Sequence, residues 1–343
     1  MKKITVITIL GLALFAGCKS QRLHKFIDYS DNPVVLAPGL AGEWDAGAIG
    51  SAAYLKVGDT LHAYYESWGK LSHDGGGGDY KSLKVGHATS TDGIHWLKDS
   101  VNPVLDAGAE GEFDAHGVWD PYVIYEDGIY KMWYGGRVET GADKSRFVIC
   151  DWGYATSTDG SNFKKHGRIS YGNGMEDLSV IHNPDDGKYY MFYWNRMIAP
   201  WNEVMDGTPS PSGLSVAVSD DEINFDFENA QVINIDGQDW PVKFPQVFRA
   251  ENKWIMVYGE AKVRGEPASS GIAVSDDLFN WKKVVFPIVN GHDAEIIQNG
   301  KNKWNLYYAP YCYFDMPNAD VRLAIYEGNI LDVQPCQLPI SKN

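Results

Sequence analysis

The chain has 343 residues, 44% of them hydrophobic and 13% aromatic, with a formal charge of −15. That length leaves room for one or two domains with a full apolar core. The acidic balance argues against nucleic acid or an acidic lipid surface as a partner, and carries no information about a neutral one.

The N-terminus opens with Lys2 and Lys3, an apolar run from Ile4 to Phe15, and then Ala16-Gly17-Cys18. This is the layout of a bacterial secretory signal over residues 1–17. The run is too short for the roughly 20 residues that cross a bilayer. Small residues before a cysteine resemble the lipobox of bacterial lipoproteins, which implies cleavage before Cys18, lipidation of its thiol and a tether over 18–29. The expected location is the cell envelope, on an outer-membrane leaflet facing the periplasm or the cell surface, with membrane contact only through that lipid. Loss of Lys2 and Lys3 makes the mature chain more acidic still. Three further cysteines, Cys150, Cys312 and Cys336, allow at most one disulfide; Cys312 and Cys336 flank the last repeat, and free thiols are the alternative.

Residues 30–343 read as one domain built on a repeat. Asn32-Pro33-Val34-Val35-Leu36 has a second copy at Asn102-Pro103-Val104-Leu105, and each leads into a matching stretch, Gly42-Glu43-Trp44-Asp45-Ala46 and Gly111-Glu112-Phe113-Asp114-Ala115. The first full unit places strand-like segments at Ala53-Tyr54-Leu55 and Tyr64-Tyr65, then Gly86-His87-Ala88-Thr89-Ser90-Thr91-Asp92-Gly93. The second runs from Tyr122-Val123-Ile124-Tyr125 through Tyr130 to Tyr134 and on to Gly153-Tyr154-Ala155-Thr156-Ser157. The third, fourth and fifth repeat it around Ala217, Ala273 and Ala324. β-branched and aromatic segments around Asp-Gly and Asn-rich turns are strands, and the spacing of roughly 50 to 70 residues is that of propeller blades. The predicted fold is all-β, a five-bladed β-propeller. Strand 4 of blade 1 is expected around Asn102–Leu105, and the N-terminal strand at Asn32–Leu36 is expected to complete blade 5, closing the ring and removing an exposed edge.

In a propeller the first strand of every blade lines the central channel. Aligning the blades puts Ser51, Asp120, Asp177, Phe244 and Asp293 in one register, with Gly50, Trp119, Glu176, Lys243 and His292 one step earlier. Acids, a lysine and a histidine thus face one axis beside Trp119 and Trp240, the composition of a site for sugars: carboxyls for proton transfer, aromatic faces for the rings. His116 and Arg137 flank Asp120, Gln246 and Glu295 follow the register in blades 4 and 5, and Glu260 ends a second strand; these are candidates for substrate hydroxyls.

Trp119-Asp120-Pro121-Tyr122-Val123 resembles the Asp-Pro strand opening of the five-bladed glycosidases of glycoside hydrolase family 43 and its relatives in families 32, 117 and 130. Glu176 resembles that family's general acid, and Gly291-His292 its Gly-His pair, whose imidazole faces the channel and often a central cation. The resemblance implies a glycosidase, with inversion as the expected outcome, no required cofactor, a central Ca2+ or other cation near His292 as an option, and a monomer acting on oligosaccharide or polysaccharide. The departure is Ser51, where family 43 places an Asp base. Asp45 on the incoming loop is one replacement, although its repeat equivalent Asp114 points to a structural cap. Asp120 itself is another, with Asp177 or Asp293 tuning it.

The chemistry needs two carboxyls across a glycosidic bond, one protonated and one ionised. The expected activity is exo-hydrolysis of a terminal arabinofuranoside, xyloside or galactoside-like sugar from plant or algal oligosaccharides, with rim loops at Trp68–Tyr80 and Asn195–Ser212 walling the funnel. A non-catalytic carbohydrate-binding propeller is the first alternative. A phosphorylase, which needs a cationic phosphate site, is the second.

Overall fold

The computed structural model describes residues 24–30, 34–69, 83–138, 149–170, 175–195, 213–237, 242–260, 269–310 and 320–336. The signal segment, Cys18, Trp240, Cys312 and most of both rim loops lie outside them. No helix among the described residues is long and apolar enough to cross a membrane. Cys336 is a free thiol.

The strands fall into five separate sheets. Two short N-terminal strands, β1 (Ile27–Asp28) and β2 (Val34–Leu36), precede blade 1, which contains β3 (Ala48–Val57), β4 (Thr60–Trp68), β5 (Lys84–Ser90) and β6 (Leu97–Lys98). Blade 2 contains β7 (Val118–Glu126), β8 (Ile129–Val138), β9 (Ile149–Ser157) and β10 (Lys164–Arg168). Blade 3 has β11 (Met175–Asn183), β12 (Lys188–Asn195), β13 (Leu214–Ser219) and β14 (Gln231–Val232). In blade 4, β15 (Ile235–Asp236) lies parallel to the outer strand β19 (Trp281–Val289), outside β16 (Val242–Ala250), β17 (Lys253–Glu260) and β18 (Ser269–Ser275). Blade 5 is β20 (His292–Gln298), β21 (Lys303–Ala309) and β22 (Val321–Glu327), to which β1 and β2 are added.

The five-bladed propeller is therefore present, and the N-terminal segment closes it. Val34 and Leu36 pair with Arg322 and Val321 on β22, as the repeated Asn-Pro-Val signature implies. Closure also reaches further back: Ile27 and Asp28 pair with Ile325 and Ala324, and Phe26 is buried in the core between blades 4 and 5. The outer strand is thus two segments rather than one. Blade 1 has the same two parts and corrects the expected strand 4. Leu97–Lys98 forms the ladder with β5, whereas Leu105 makes only a single bridge to Val85.

Five apolar clusters fill the five blade interfaces, and their members come from the alternating aromatic and β-branched residues of the inner strands. The cluster between blades 5 and 1 takes in Val35 and Leu36 with Tyr54, Tyr65 and Tyr307, so ring closure buries side chains as well as pairing backbone.

Side chains two residues past the funnel register fasten the inner strands of blades 3, 4 and 5 each to the next. Val247 N–H donates to Ser179 Oγ at 3.0 Å, and Tyr54 N–H to Glu295 Oε2 at 2.9 Å. Gln246 clasps Ile296 at both ends, its Nε2 donating to the carbonyl at 2.9 Å and its Oε1 accepting the N–H at 2.7 Å. Gln246→Leu leaves that N–H and C=O buried without partners, at about 1–3 kcal/mol each. Its urea midpoint is expected to fall well below that of the native protein while the far-ultraviolet circular dichroism of the folded baseline stays unchanged; an unaltered midpoint would contradict the clasp.

Candidate active site

Each innermost strand breaks its ladder at its opening. Pairing slips between Ile49 and Ala52, Trp119 and Tyr122, Glu176 and Ser179, Lys243 and Gln246, and His292 and Glu295. These are β-bulges, devices that re-aim side chains next to active sites. In four of them the register residue is left-handed: Asp120 at φ 42°, Asp177 at 53°, Phe244 at 50° and Asp293 at 50°. Aspartate tolerates this region better than most residues, whereas a phenylalanine there is an outlier that the surrounding structure must hold in place. Ser51 is not among the left-handed residues.

The bulges gather Ser51, Asp120, Asp177, Phe244, Asp293 and Glu295 around one central funnel that is open to solvent. The register read from the sequence is thus the funnel wall. A ring of contacts links it. The Asp177 amide donates to Asp120 Oδ2 at 3.2 Å, and the Asp120 amide donates to Glu66 Oε2 at 2.9 Å. Glu66 also accepts the Ser51 N–H, and the Ser51 hydroxyl donates to Asp120. Glu66 lies on β4, only 2% exposed, and the sequence reading missed it. The signal was there: in β8 and β17 the equivalent positions are Gly135 and Gly259, so an acid at this depth of a second strand stands out.

So many carboxyls in a dry site cannot all ionise. Burial first, and then the charge of Glu176, push Asp120 up to about 7. Burial, with Asp120 close by, holds Glu66 and Asp177 well above the usual carboxylate range, and the Lys243 charge partly offsets this for Asp177. Burial raises Glu295 to about 8, against the opposing effect of the Tyr54 N–H.

Glu176 sits next to the funnel wall, close enough to affect Asp120 and Asp177 electrostatically. Lys243 is buried with its Nζ 3.9 Å from the centroid of the Trp194 ring. His292, 2% exposed, holds Asp293 Oδ2 through Nδ1 at 2.9 Å. Asp293 Oδ1 has no hydrogen-bond partner among the described residues. His292 therefore orients a funnel carboxylate. Among the described residues no group of three or more His, Cys, Asp or Glu is placed to hold a metal ion.

The structure removes two candidates from the funnel. Asp45 is buried in the body of blade 1, where its Oδ2 meets Lys98 Nζ at 2.6 Å and Tyr65 OH at 3.3 Å; Asp114 repeats this in blade 2 with Lys165 at 2.6 Å and Tyr134 at 3.2 Å. The pair is a repeated structural cap, because a lysine from the outer strand neutralises each acid. Gln246 is committed to the Ile296 backbone. Around Asp120, the Arg137 guanidinium lies 5.2 Å from the centroid of the Trp119 ring, and His116 N–H donates to the Arg137 carbonyl, so these three form a second layer beside the funnel. Glu260, 6% exposed, ends β17 behind Val242.

No family model matches the chain. A β-1,2-mannobiose phosphorylase of Thermoanaerobacter is 31% identical over 174 residues, half of this chain and 54% of the relative. The chain spans about half the length of the curated relatives it matches. Among solved structures, a β-xylosidase aligns with a TM-score of 0.59 at 16% identity over 89% of this chain and 99% of the other. A structure from work on glycoside hydrolase family 130 and β-1,2-mannosidic linkages of Candida mannan aligns with a TM-score of 0.59 at 16% identity, over 90% and 95%. The fold is that of five-bladed propellers found in glycoside hydrolases and mannoside phosphorylases.

Asp120 binds its proton more tightly in the folded protein than in the unfolded chain. Between its ordinary value and about 7 the unfolded state loses the proton first, so this carboxyl's contribution to stability declines as pH rises through that window. The thermal midpoint is expected to fall between about pH 5 and pH 8, and Asp120→Asn to flatten that slope; an identical slope in the variant would contradict the assignment.

Proposed function

We propose that the protein is a glycoside hydrolase that removes a terminal sugar from an oligosaccharide by proton transfer among the funnel carboxyls. The observation that carries the reading is Asp120, a carboxyl on the funnel wall that still holds its proton near neutral pH because of burial and the Glu176 charge. Asp120 is assigned as the proton donor to the departing glycosidic oxygen, with the neighbouring Glu176 raising its affinity for that proton. This moves to Asp120 the general-acid role that the family 43 resemblance gives to Glu176. Asp293, oriented by His292 through one oxygen and lining the funnel, is placed as the base that activates water. Two carboxyls on different blades, one to donate a proton and one to activate water, are what inverting hydrolysis requires.

The mannobiose phosphorylase relative favours a second reading, in which inorganic phosphate takes the place of water. Hydrolysis is preferred because the described funnel wall carries four carboxyls and no Lys, Arg or His with which to hold a phosphate dianion. Lipidation of Cys18 and an envelope location complete the proposal.

The test is a panel of nitrophenyl glycosides, plant and algal oligosaccharides and β-1,2-mannobiose, each with and without phosphate. Phosphate-independent release of free sugar is expected, as is a loss of about 1000-fold or more in Asp120→Asn. Release of sugar phosphate alone would establish the second reading, and no release from any substrate would leave a binding protein. For Glu176→Gln, removal of a negative neighbour lowers the Asp120 pKa. The alkaline limb of the kcat profile is expected to move to lower pH, and an unmoved limb would contradict the pairing.

A further inference from the structure

The funnel has an acid at the register position in three blades and Ser51 in blade 1. Between blades 2 and 3 the register carboxyl of one blade accepts the amide of the left-handed residue in the next, as Asp120 does for Asp177. Ser51 has no carboxyl with which to do this for Asp120. Glu66 does it instead, from the second strand of the same blade, reaching across Gly50 to accept the Asp120 N–H at 2.9 Å and the Ser51 N–H as well. Position and partners make this a built feature of the site, since the side chain is fully enclosed and the amide it holds belongs to the residue whose carboxyl faces substrate.

We propose that Glu66 is the positioning residue of the funnel, substituting for the carboxyl that blade 1 lacks at Ser51 and holding the Asp120 bulge by its amide. The inference rests on the reading of the funnel as an acid/base site. Its charged neighbours explain why it carries a proton. Asp120 and Asp293 face it directly, Glu176, Asp177 and Glu295 lie beyond them, and Lys243 acts on Asp177 from the far side. A further anion under this ring has no compensating cation among its interactions, whereas a carboxylic acid still offers a carbonyl oxygen to the two amides. With Glu66 neutral, the wall has one fewer anion, and Asp120 is free to exchange its own proton.

The experiment compares Glu66→Gln, which keeps an uncharged acceptor, with Glu66→Ala, which removes it. Its first readout needs no substrate: the amide resonances of Ser51 and Asp120 in an isotope-labelled full chain. Both are expected downfield in the native protein and in Glu66→Gln, unresponsive to pH between about 4 and 7 beyond the titration of Asp120 itself, and displaced upfield in Glu66→Ala. The second readout is kinetic. Misplacement of the Asp120 carboxyl is expected to lower kcat about 100-fold in Glu66→Ala with KM little changed, and Glu66→Gln is expected to recover most of that loss. Amide resonances that stay in place in a folded Glu66→Ala overturn the proposal. So does a separate titration of Glu66 in the ordinary range around 4 to 5, or a Glu66→Gln variant as impaired as Glu66→Ala. If the native protein cleaves no glycoside, the functional reading fails while the amide readout still decides the role of Glu66.

Discussion

The site depends on the β-bulge that opens each innermost strand. Without it, period-two alternation would send successive side chains to opposite faces of a blade. The left-handed residue breaks that alternation and turns Asp120, Asp177 and Asp293 onto one axis, with the amides of Asp120 and Asp177 toward the preceding blade. Left-handed backbone costs a non-glycine residue on the order of 1–3 kcal/mol. The cost is met by what the turned amides reach, since Asp120 and Asp177 each donate to a carboxyl of the blade before. Strain, carboxyl placement and the links around the ring are therefore one arrangement.

Electrostatics follows from that placement. A propeller brings five strands to one narrow axis, and acids on neighbouring strands share a volume with little water. Proton retention at Asp120, Asp177, Glu66 and Glu295 is the physical consequence, and it supplies the protonated acid that glycosidic cleavage needs. The described wall offers no Lys, Arg or His to a phosphate, which is the ground on which the proposal takes water as the acceptor although relatives include phosphorylases.

Much of this was legible in the sequence because repeats turn one alignment into a map of the axis. The register Ser51, Asp120, Asp177, Phe244, Asp293 could be read from the strands following each opening, and it is the funnel wall. Ring closure was legible because Asn-Pro-Val recurs before and after blade 1. What was lost lay off the repeat. Glu66 sits on a second strand, where its neighbours Tyr64 and Tyr65 read as core, and only the cross-strand geometry shows it beneath Asp120. Asp45 looked like a replacement base because sequence gives no distance to Lys98, more than fifty positions away, whose ammonium neutralises it. Gln246 faces along the ring rather than into the funnel, a direction that alternation does not reveal.

The most direct test of the central claim is the titration of the Asp120 side-chain carboxyl, followed by carbon-13 resonance in the substrate-free protein and assigned by its loss in Asp120→Asn. The account predicts a midpoint near 7, set by burial and by the Glu176 charge. A midpoint in the ordinary aspartate range, about 3 to 4, would mean that the funnel holds no acid poised for catalysis and would contradict the account.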